Sequence, residues 1–265
     1  MMKAMWSAAS GMKNLQLKID TISNNLANVN TIGFKNQRVE FKDIMYERLD
    51  QSAKLADEGR PVPIEIGHGV MISATLRDFT TGNLQQTGTP TDLAINGEHF
   101  FKVIDNNGNT RYSKDGSFKI AATEEGATLV TSDGYFVQGV DGNIVLGENV
   151  SELSIDSQGF IRVKRDGGEE YEDIGQLSLN KFVNPAGLES VGKNLYKETT
   201  ASGAAFEGVE EGDKTEVWQG FIENSNVQIV DEMINLITAE RAYEINSKSI
   251  QTADRMLEIA NNLKR

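Results

Sequence analysis

The sequence predicts an α+β protein in which long terminal α-helices pair as a coiled coil, beside a central all-β domain and an extended β arm. Two observations lead to this prediction. Both ends of the chain carry apolar residues at coiled-coil spacing. The middle carries short apolar runs separated by Asn-Gly and Asp-Gly pairs, which favour tight hairpins. We place the N-terminal helix, the connecting arm, the all-β domain and the C-terminal helix at 1–35, 36–91, 92–222 and 223–265.

The N-terminal helix is predicted from a heptad pattern. Apolar residues recur at alternating steps of three and four, which keeps one narrow stripe of a helix facing a partner. The stripe consists of Met5, Ala8, Met12, Leu15, Ile19, Ile22, Leu26 and Val29. Because polar residues fill the positions between them, this helix needs a partner to bury its stripe.

A block rich in asparagine is predicted to end this helix. The block contains Asn24, Asn25, Asn28 and Asn30. Asparagine side chains favour local hydrogen bonds to the backbone over further helical turns. We therefore expect the helix to stop within 28–31, with Gly33 in a turn and Phe34 available as an apolar anchor.

The C-terminal helix is predicted from a second heptad pattern in a stretch, 226–263, without Pro or Gly. Large residues recur at every seventh position, namely Ile229, Leu236, Tyr243, Ile250 and Leu257. Mostly small residues follow three positions after the last four of these, namely Ala239, Asn246, Ala253 and Ala260. Ser225 and Asn226 are placed to cap the helix.

The partner of these helices is left open by the spacing alone. An intramolecular helical hairpin and a simple dimeric coiled coil both satisfy it. The alanines permit close packing of several helices, and further apolar residues lie outside the heptad pattern. These are Val230, Met233, Ile234, Ile237 and Met256. A helix that is apolar beyond one stripe favours more than one neighbour.

The arm and the β domain are predicted from local patterns. Residues 36–50 have helix-like apolar spacing, 51–63 are expected to form an exposed loop or an extended arm, and 64–86 alternate as an extended strand interrupted by glycines. From residue 93 to about 200, short apolar runs recur every 8 to 12 residues between turn dipeptides. This spacing is typical of a sandwich or a partly closed barrel.

Composition excludes several classes of protein. The chain has 265 residues, no Cys and a net charge of −13. Residues 1–35 carry +3 and residues 226–265 carry −1, so a surplus of −15 lies in the middle. Such acidity disfavours nucleic acid as a partner. No apolar run approaches the roughly 20 residues of a membrane span, and the N-terminus does not have the pattern of a Sec signal peptide.

Three patterns resemble chemical sites but lack essential residues. Residues 187–194 nearly match a P-loop, yet Asn194 stands where Ser or Thr would hold Mg²⁺. Residues 105–109 resemble the start of a calcium loop without its later Gly and Glu. His68 and His99 have no second histidine nearby. We expect turns at the first two and no catalytic residue, metal site or cofactor.

Several blocks resemble the axial proteins of the bacterial flagellum, the rod and hook family. In chain order, these blocks are Ser10–Met12, Asn24–Lys35, Asp92–Gly97, Phe100–Phe101, Gly187–Gly192, Ser225–Val227 and Glu240–Lys248. Together they extend over essentially the whole chain. Two departures occur: Glu240 stands where Gln is usual, and Glu98-His99 where a Gly is common.

The resemblance implies a non-enzymatic structural subunit of the distal rod in the basal body. Such a subunit leaves the cell through the flagellar type III export apparatus without a cleaved signal peptide. It polymerises with itself into a helical tube that spans the periplasm and carries torque. Its terminal helices form inner coiled coils, and its β domain faces outward. The implied partners also include proximal rod proteins, the hook protein and surrounding ring proteins. The alternatives are another rod or hook-type axial component, and a secreted ligand-binding β domain that oligomerises through its coiled coil.

The heptad patterns and the resemblance together define the expected assembly residues. In the N-terminal segment they are Met5, Met12, Leu15, Ile19, Ile22, Asn24, Asn25, Leu26, Asn28, Thr31, Gly33 and Phe34. In the C-terminal helix they are Leu236, Tyr243, Asn246, Ile250 and Leu257.

Overall fold

The protein has an N-terminal helix, a mostly β middle and a C-terminal helix. The structure is a computed structural model that describes residues 2–48, 65–105, 107–123, 126–147, 150–166, 170–208 and 215–262. The exposed loop expected at 51–63 lies outside these described residues. The chain divides into two compact units: a helical unit of 1–27, 37–76 and 228–265, and a β unit of 28–36 and 77–227.

Both terminal helices are confirmed. Helix α1 spans Met2–Ala27 and helix α2 spans Ile229–Asn262. The asparagine block ends α1 as expected, since residues 28–30 form a turn in which the Thr31 N–H donates to the Asn28 carbonyl at 3.1 Å.

The expected cap of α2 is wrong. The helix starts at Ile229, so Asn226 lies before its first turn and not at the capping position. The side chain of Asn226 instead accepts from the Asn36 N–H and donates to the Asp78 carbonyl. Asn226 therefore satisfies the backbone of other segments of the β unit rather than the first turn of the helix.

Helices α1 and α2 contact each other within one chain and run antiparallel. Ala4, near the start of α1, shares a groove with Met256 near the end of α2. Farther along, a Cβ placed on Gly11 would lie 3.2 Å from Asn246 Nδ2, so the glycine permits close approach there. The chain thus forms the intramolecular helix pair that the sequence left open.

Four strands complete the helical unit, and they correct the helix-like interpretation of residues 36–50. They are β1 Gln37–Asp43, β2 Tyr46–Arg48, β3 Glu65–Gly67 and β4 Val70–Arg77, with the last residue of β4 belonging to the β unit. Strand β1 pairs with β4, and β2 pairs with β3. The apolar spacing of a short segment is a weak signal, and pairing with distant strands overrides it.

The β unit contains eighteen described strands and one turn of 3-10 helix, Pro185–Gly187. The strands are β5 Leu84–Gln86, β6 Leu93–Asn96, β7 Phe100–Ile104, β8 Thr110–Ser113, β9 Lys119–Thr123, β10 Gly126–Val130, β11 Phe136–Gly139, β12 Gly142–Asn143, β13 Val145–Gly147, β14 Val150–Ile155, β15 Phe160–Arg165, β16 Tyr171–Gln176, β17 Leu179–Lys181, β18 Glu189–Gly192, β19 Leu195–Lys197, β20 Phe206–Glu207, β21 Glu216–Gln219 and β22 Phe221–Glu223.

The sheets of the β unit are open. The largest sheet follows the order β13-β10-β11-β7-β8-β19-β18, with β9, β12, β17 and β20 attached to it. A second sheet has the order β14-β15-β16, and the pairs β6–β21 and β5–β22 are separate. Among the described residues, the end strands β13 and β18 do not pair with each other, so the large sheet stays open and does not form the partly closed barrel that the sequence allowed.

One apolar core joins the two larger sheets. It contains Phe101, Leu129 and Val137 from the large sheet together with Ile161 and Val163 from the three-stranded sheet, all almost fully buried. A second cluster is aromatic and is made by Phe79, Phe100, Tyr112, Phe182 and Tyr196, whose rings meet edge to face. Burial of these large side chains is the main stabilising term of the unit.

Candidate assembly surfaces

The heptad residues of α1 lie largely covered inside the helical unit. Ile22 is buried, as is Ala8. Five others are half-buried, namely Met5, Met12, Leu15, Ile19 and Leu26. Because each of the five keeps part of its surface exposed, the heptad face of α1 can still be buried further by a neighbour.

The heptad residues of α2 range from buried to exposed, with Ile229 and Ala260 exposed at its two ends. Ala239 and Ala253 are buried, whereas Tyr243 is 38% exposed. The half-buried positions are Leu236, Asn246, Ile250 and Leu257. These two small residues are thus covered, whereas the larger side chains between them remain partly accessible.

A second apolar surface lies on the opposite side of α2. At about 100° per residue, this outer stripe is centred roughly half a turn away from the heptad face. Its members are Val230, Ile234, Ile237, Ile245, Met256 and Ile259, all of them exposed. Four of them are among the residues that the sequence placed outside the heptad pattern, whereas Ile245 and Ile259 were missed. Projecting the whole segment onto a helical wheel would have found both.

The outer stripe borders a groove between the two helices. Ala4 of α1 lines one side, and Ile245, Ala253 and Met256 of α2 line the other. Polar side chains at the groove are Lys248, Ser249 and Thr252. The groove is mostly apolar and open, so it offers a contact surface rather than an enclosed ligand site.

Asn25 acts inside the chain. Its side chain is 1% exposed. Its amide oxygen accepts from the Gln37 N–H at 3.0 Å, and its Nδ2 donates to the Gln37 carbonyl at 2.9 Å. Nδ2 also lies 3.5 Å from the Glu232 carboxylate on α2. The side chain therefore pairs with the start of β1 as a neighbouring strand would, which is a contact that spacing along the sequence could not reveal.

The remaining polar residues of the asparagine block differ in their surroundings. The Thr31 hydroxyl donates to Asn28 Oδ1 at 3.1 Å, so these two side chains bond to each other within the turn that follows α1. Asn24 is exposed on α1.

Gly33 and Phe34 lie inside the β unit. Phe34 is buried at 9% exposure, which places this expected anchor in the unit's own interior. Gly33 has φ of +67°, and its N–H donates to the Glu223 carbonyl at 2.8 Å. A Cβ at this position would lie 2.7 Å from the Asp115 backbone nitrogen. Both the conformation and the space therefore require glycine.

Replacing Gly33 by alanine is expected to destabilise the β unit strongly. The left-handed conformation costs about 1–2 kcal/mol for any residue with a Cβ, and the clash with Asp115 adds to it, for a total of about 3 kcal/mol. Gly88→Ala is the matched control, because Gly88 has φ of +72° with nothing within 4 Å of its Cβ position. Urea denaturation should show a clearly larger loss for Gly33→Ala. Equal losses would contradict the close approach.

The patterns that resembled chemical sites serve structural roles. Lys193 and Asn194 of the P-loop-like stretch have φ of +54° and +56°, in the turn between β18 and β19. Asp105 and Asn109 close the turn between β7 and β8. Buried His99 bonds to the Thr215 hydroxyl at 2.8 Å.

The part of the chain that the structure describes contains no group of three His, Cys, Asp or Glu side chains placed to hold a metal ion. Within the same residues, none of the helices is long and apolar enough to cross a membrane.

Three regions of the chain match known protein families. Residues 5–35, which include the asparagine block, match the flagella basal body rod protein family. Residues 94–163 match the flagellar hook protein FlgE/F/G D1 domain, and residues 219–263 match the flagellar basal body rod FlgEFG protein C-terminal domain. These matches include most of α1, the part of the β unit from β6 into β15, and α2.

Whole-chain relatives agree with these matches. The chain is 46% identical to the flagellar basal-body rod protein FlgG of Borreliella burgdorferi, with all of both chains covered. It is 38% identical to FlgG of Bacillus subtilis, again over both full lengths. It is 31% identical to the flagellar hook-basal body complex protein FlhP of the same bacterium, also with full coverage. The chain therefore belongs to the flagellar basal-body rod protein family.

Proposed function

We propose that this chain is a structural subunit of the distal rod of the bacterial flagellum and that it polymerises with itself into a helical tube. Both FlgG relatives are full-length matches and are more similar to the chain than the hook-basal body protein FlhP. This difference favours the distal rod over another axial component. The role is structural rather than catalytic.

The observation that carries this proposal is the two-sided apolar character of α2. One side contacts α1 in the same chain, and the outer stripe on the other side is exposed, with Val230 at 69%. A surface helix of a monomeric protein normally presents a polar outer face. An apolar stripe of this length marks a protein contact. In a homopolymer the covering surface is a second copy of the chain.

Charge supports a contact between unlike helices. Helix α1 carries three lysines and one aspartate, a net +2, whereas α2 carries six acidic and three basic residues, a net −3. Contacts between α1 of one copy and α2 of the next would join opposite charges. Such a contact is not self-symmetric, so it repeats along an axis and builds an open filament.

The other proposed features follow from membership of the rod family. The terminal helices of adjacent copies pair as coiled coils at the centre of the tube, and residues 36–91 form the connecting arm. The tube spans the periplasm, joins proximal rod proteins to the hook protein and transmits torque. The acidic middle of the chain faces the surrounding ring proteins. The subunit reaches this position through the flagellar type III export apparatus.

The proposal is tested by electron microscopy of the concentrated protein. We expect tubes that lengthen with protein concentration. A small closed oligomer at every concentration would overturn the proposal and favour a coiled-coil scaffold instead.

The outer stripe is tested by a matched pair of variants. Ile245→Asp introduces a charge in the middle of the stripe and should abolish the tubes, because the carboxylate would be buried without a partner. Gln251→Asp adds the same charge at an exposed position of α2 outside the stripe and should leave the tubes intact. Tubes of normal length from the Ile245→Asp protein would exclude the stripe as a contact.

A further inference from the structure

Three separate segments of the β unit are held together by polar contacts where the chain enters and leaves the unit. They are 28–36, 77–83 and 221–227. The Asp78 N–H donates to the Asn36 carbonyl at 2.9 Å, and the Asn36 N–H donates to Asn226 Oδ1 at 2.7 Å. Asn226 Nδ2 donates in turn to the Asp78 carbonyl at 2.9 Å. One residue from each segment thus closes a ring of hydrogen bonds, which we call the junction.

Beneath the junction lies a fully buried ion pair. The side chains of Lys35 and Glu223 are both 0% exposed and bond directly to each other. Lys35 Nζ also donates to the Thr80 carbonyl at 2.7 Å, and Glu223 Oε1 accepts from the Gly82 N–H at 2.8 Å. The pair therefore contacts all three segments, each through a charge-assisted hydrogen bond.

The segments approach too closely for this region to be a loose linker. The Gly33 N–H donates to the Glu223 carbonyl. A Cβ placed on Gly82 would lie only 2.1 Å from the Asn224 carbonyl oxygen. Asn194 Nδ2 donates to the Ile32 carbonyl at 2.7 Å and attaches the first segment to the turn before β19.

Each charge of the pair depends on the other. A buried ion that loses its partner is strongly destabilising, whereas a well-matched neutral pair can replace both at little cost. Among the described residues, Glu223 Oε2 is buried without a hydrogen-bond partner. Lys35 is the cation that bonds directly to this carboxylate, and the charge of the buried Lys114 also interacts with it. Lys35 and Glu223 are 188 positions apart, so the pair forms only when both ends of the β unit are in place.

From these contacts we infer that the Lys35–Glu223 pair is a latch that locks the three connecting segments of the β unit together. The β unit is complete only when segment 28–36 is bonded to segments 77–83 and 221–227. Segment 28–36 precedes the arm in the sequence, whereas the other two segments come later in the chain. The latch consists of contacts within one chain, so this inference does not depend on whether the chain builds a tube.

Hydrogen exchange in the full-length chain tests the latch. Lys35→Met and Glu223→Gln should each speed the exchange of the Gly33, Asn36, Asp78 and Gly82 amides at least tenfold relative to amides in the β7–β8 pair. The double variant Lys35→Met/Glu223→Gln removes both charges of the pair, so neither is left without the other, and it should recover most of the protection. This recovery distinguishes a charge-based latch from simple loss of packing.

An exposed ion pair provides the control. Arg162 and Asp173 are 2.9 Å apart across β15 and β16 with 50% and 79% of their side chains exposed. Arg162→Met and Asp173→Asn should leave the junction amides unchanged. The latch is refuted if Lys35→Met leaves all four amides protected, if all amides of the unit accelerate equally, or if the double variant is as poorly protected as the worse single variant. If both single variants fail to fold, a folded double variant supports the latch and an unfolded one refutes it.

Discussion

Ile250→Asp is expected to abolish rod assembly while leaving the thermal transition of the β unit unchanged. Ile250 lies half-buried on the heptad face of α2, four residues after the half-buried Asn246 and three before the buried Ala253. Truncating a buried Ile costs about 2–5 kcal/mol, and a buried carboxylate costs more. In a filament the same loss recurs in every subunit, so its effect on polymerisation far exceeds its effect on a single chain.

Two variants of neighbouring residues sharpen this test. Ala253→Leu should also block assembly, because Ala253 is buried at 8% exposure on the heptad face of α2 and a larger side chain would overpack this face. Lys248→Gln removes a charge at the groove and leaves the heptad face intact, so it should still assemble. Electron microscopy and swimming assays measure assembly, and calorimetry of the full-length chain measures the β unit. Rods built by Ile250→Asp protein would show that assembly does not depend on the heptad face.

The free energy of unfolding is expected to rise by about 2 kcal/mol between pH 7 and pH 9 because of Lys114. The Lys114 side chain is fully buried, and its Nζ donates to the Gly97 carbonyl at 2.6 Å. Burial lowers the pKa of Lys114 from 10.5 to about 7, while the nearby Glu223 opposes this shift. Lys114 loses its proton near pH 7 in the folded chain but only near pH 10.5 in the unfolded chain, so the unfolded chain binds more protons between these two values and stability rises with pH.

Lys114→Met should remove most of this pH dependence. The variant carries no ionisable group at the position, so its stability should exceed that of the natural chain most clearly at pH 7 and below. Lys119→Met is the control, because Lys119 is 59% exposed and its loss should preserve the rise with pH. Urea denaturation at pH 6, 7, 8 and 9 measures the effect. A parallel rise in the natural chain and in Lys114→Met would show that another group is responsible.

Some of the assembly surface could be predicted from the sequence, and some could not. The heptad spacing predicted that α1 and α2 are helices with an apolar face, because a helix projects residues three and four positions apart onto one face. It could not show that the two helices contact each other within one chain. Nor could it show that Gly33 and Phe34, expected as assembly residues, lie inside the β unit.

Elements with local signals could be read from the amino-acid sequence without any structure. Helical periodicity and the asparagine block set the extent of α1, and turn dipeptides separated strands such as β7 and β8. The pairing of β1 with β4, the open sheets, the bonding of Asn25 to Gln37 and the burial of Lys35 against Glu223 became known only from the folded chain. The difference lies in distance along the chain. Periodicity and turn propensity act over a few residues, whereas these contacts join residues 12 to 188 positions apart and depend on how the whole chain folds.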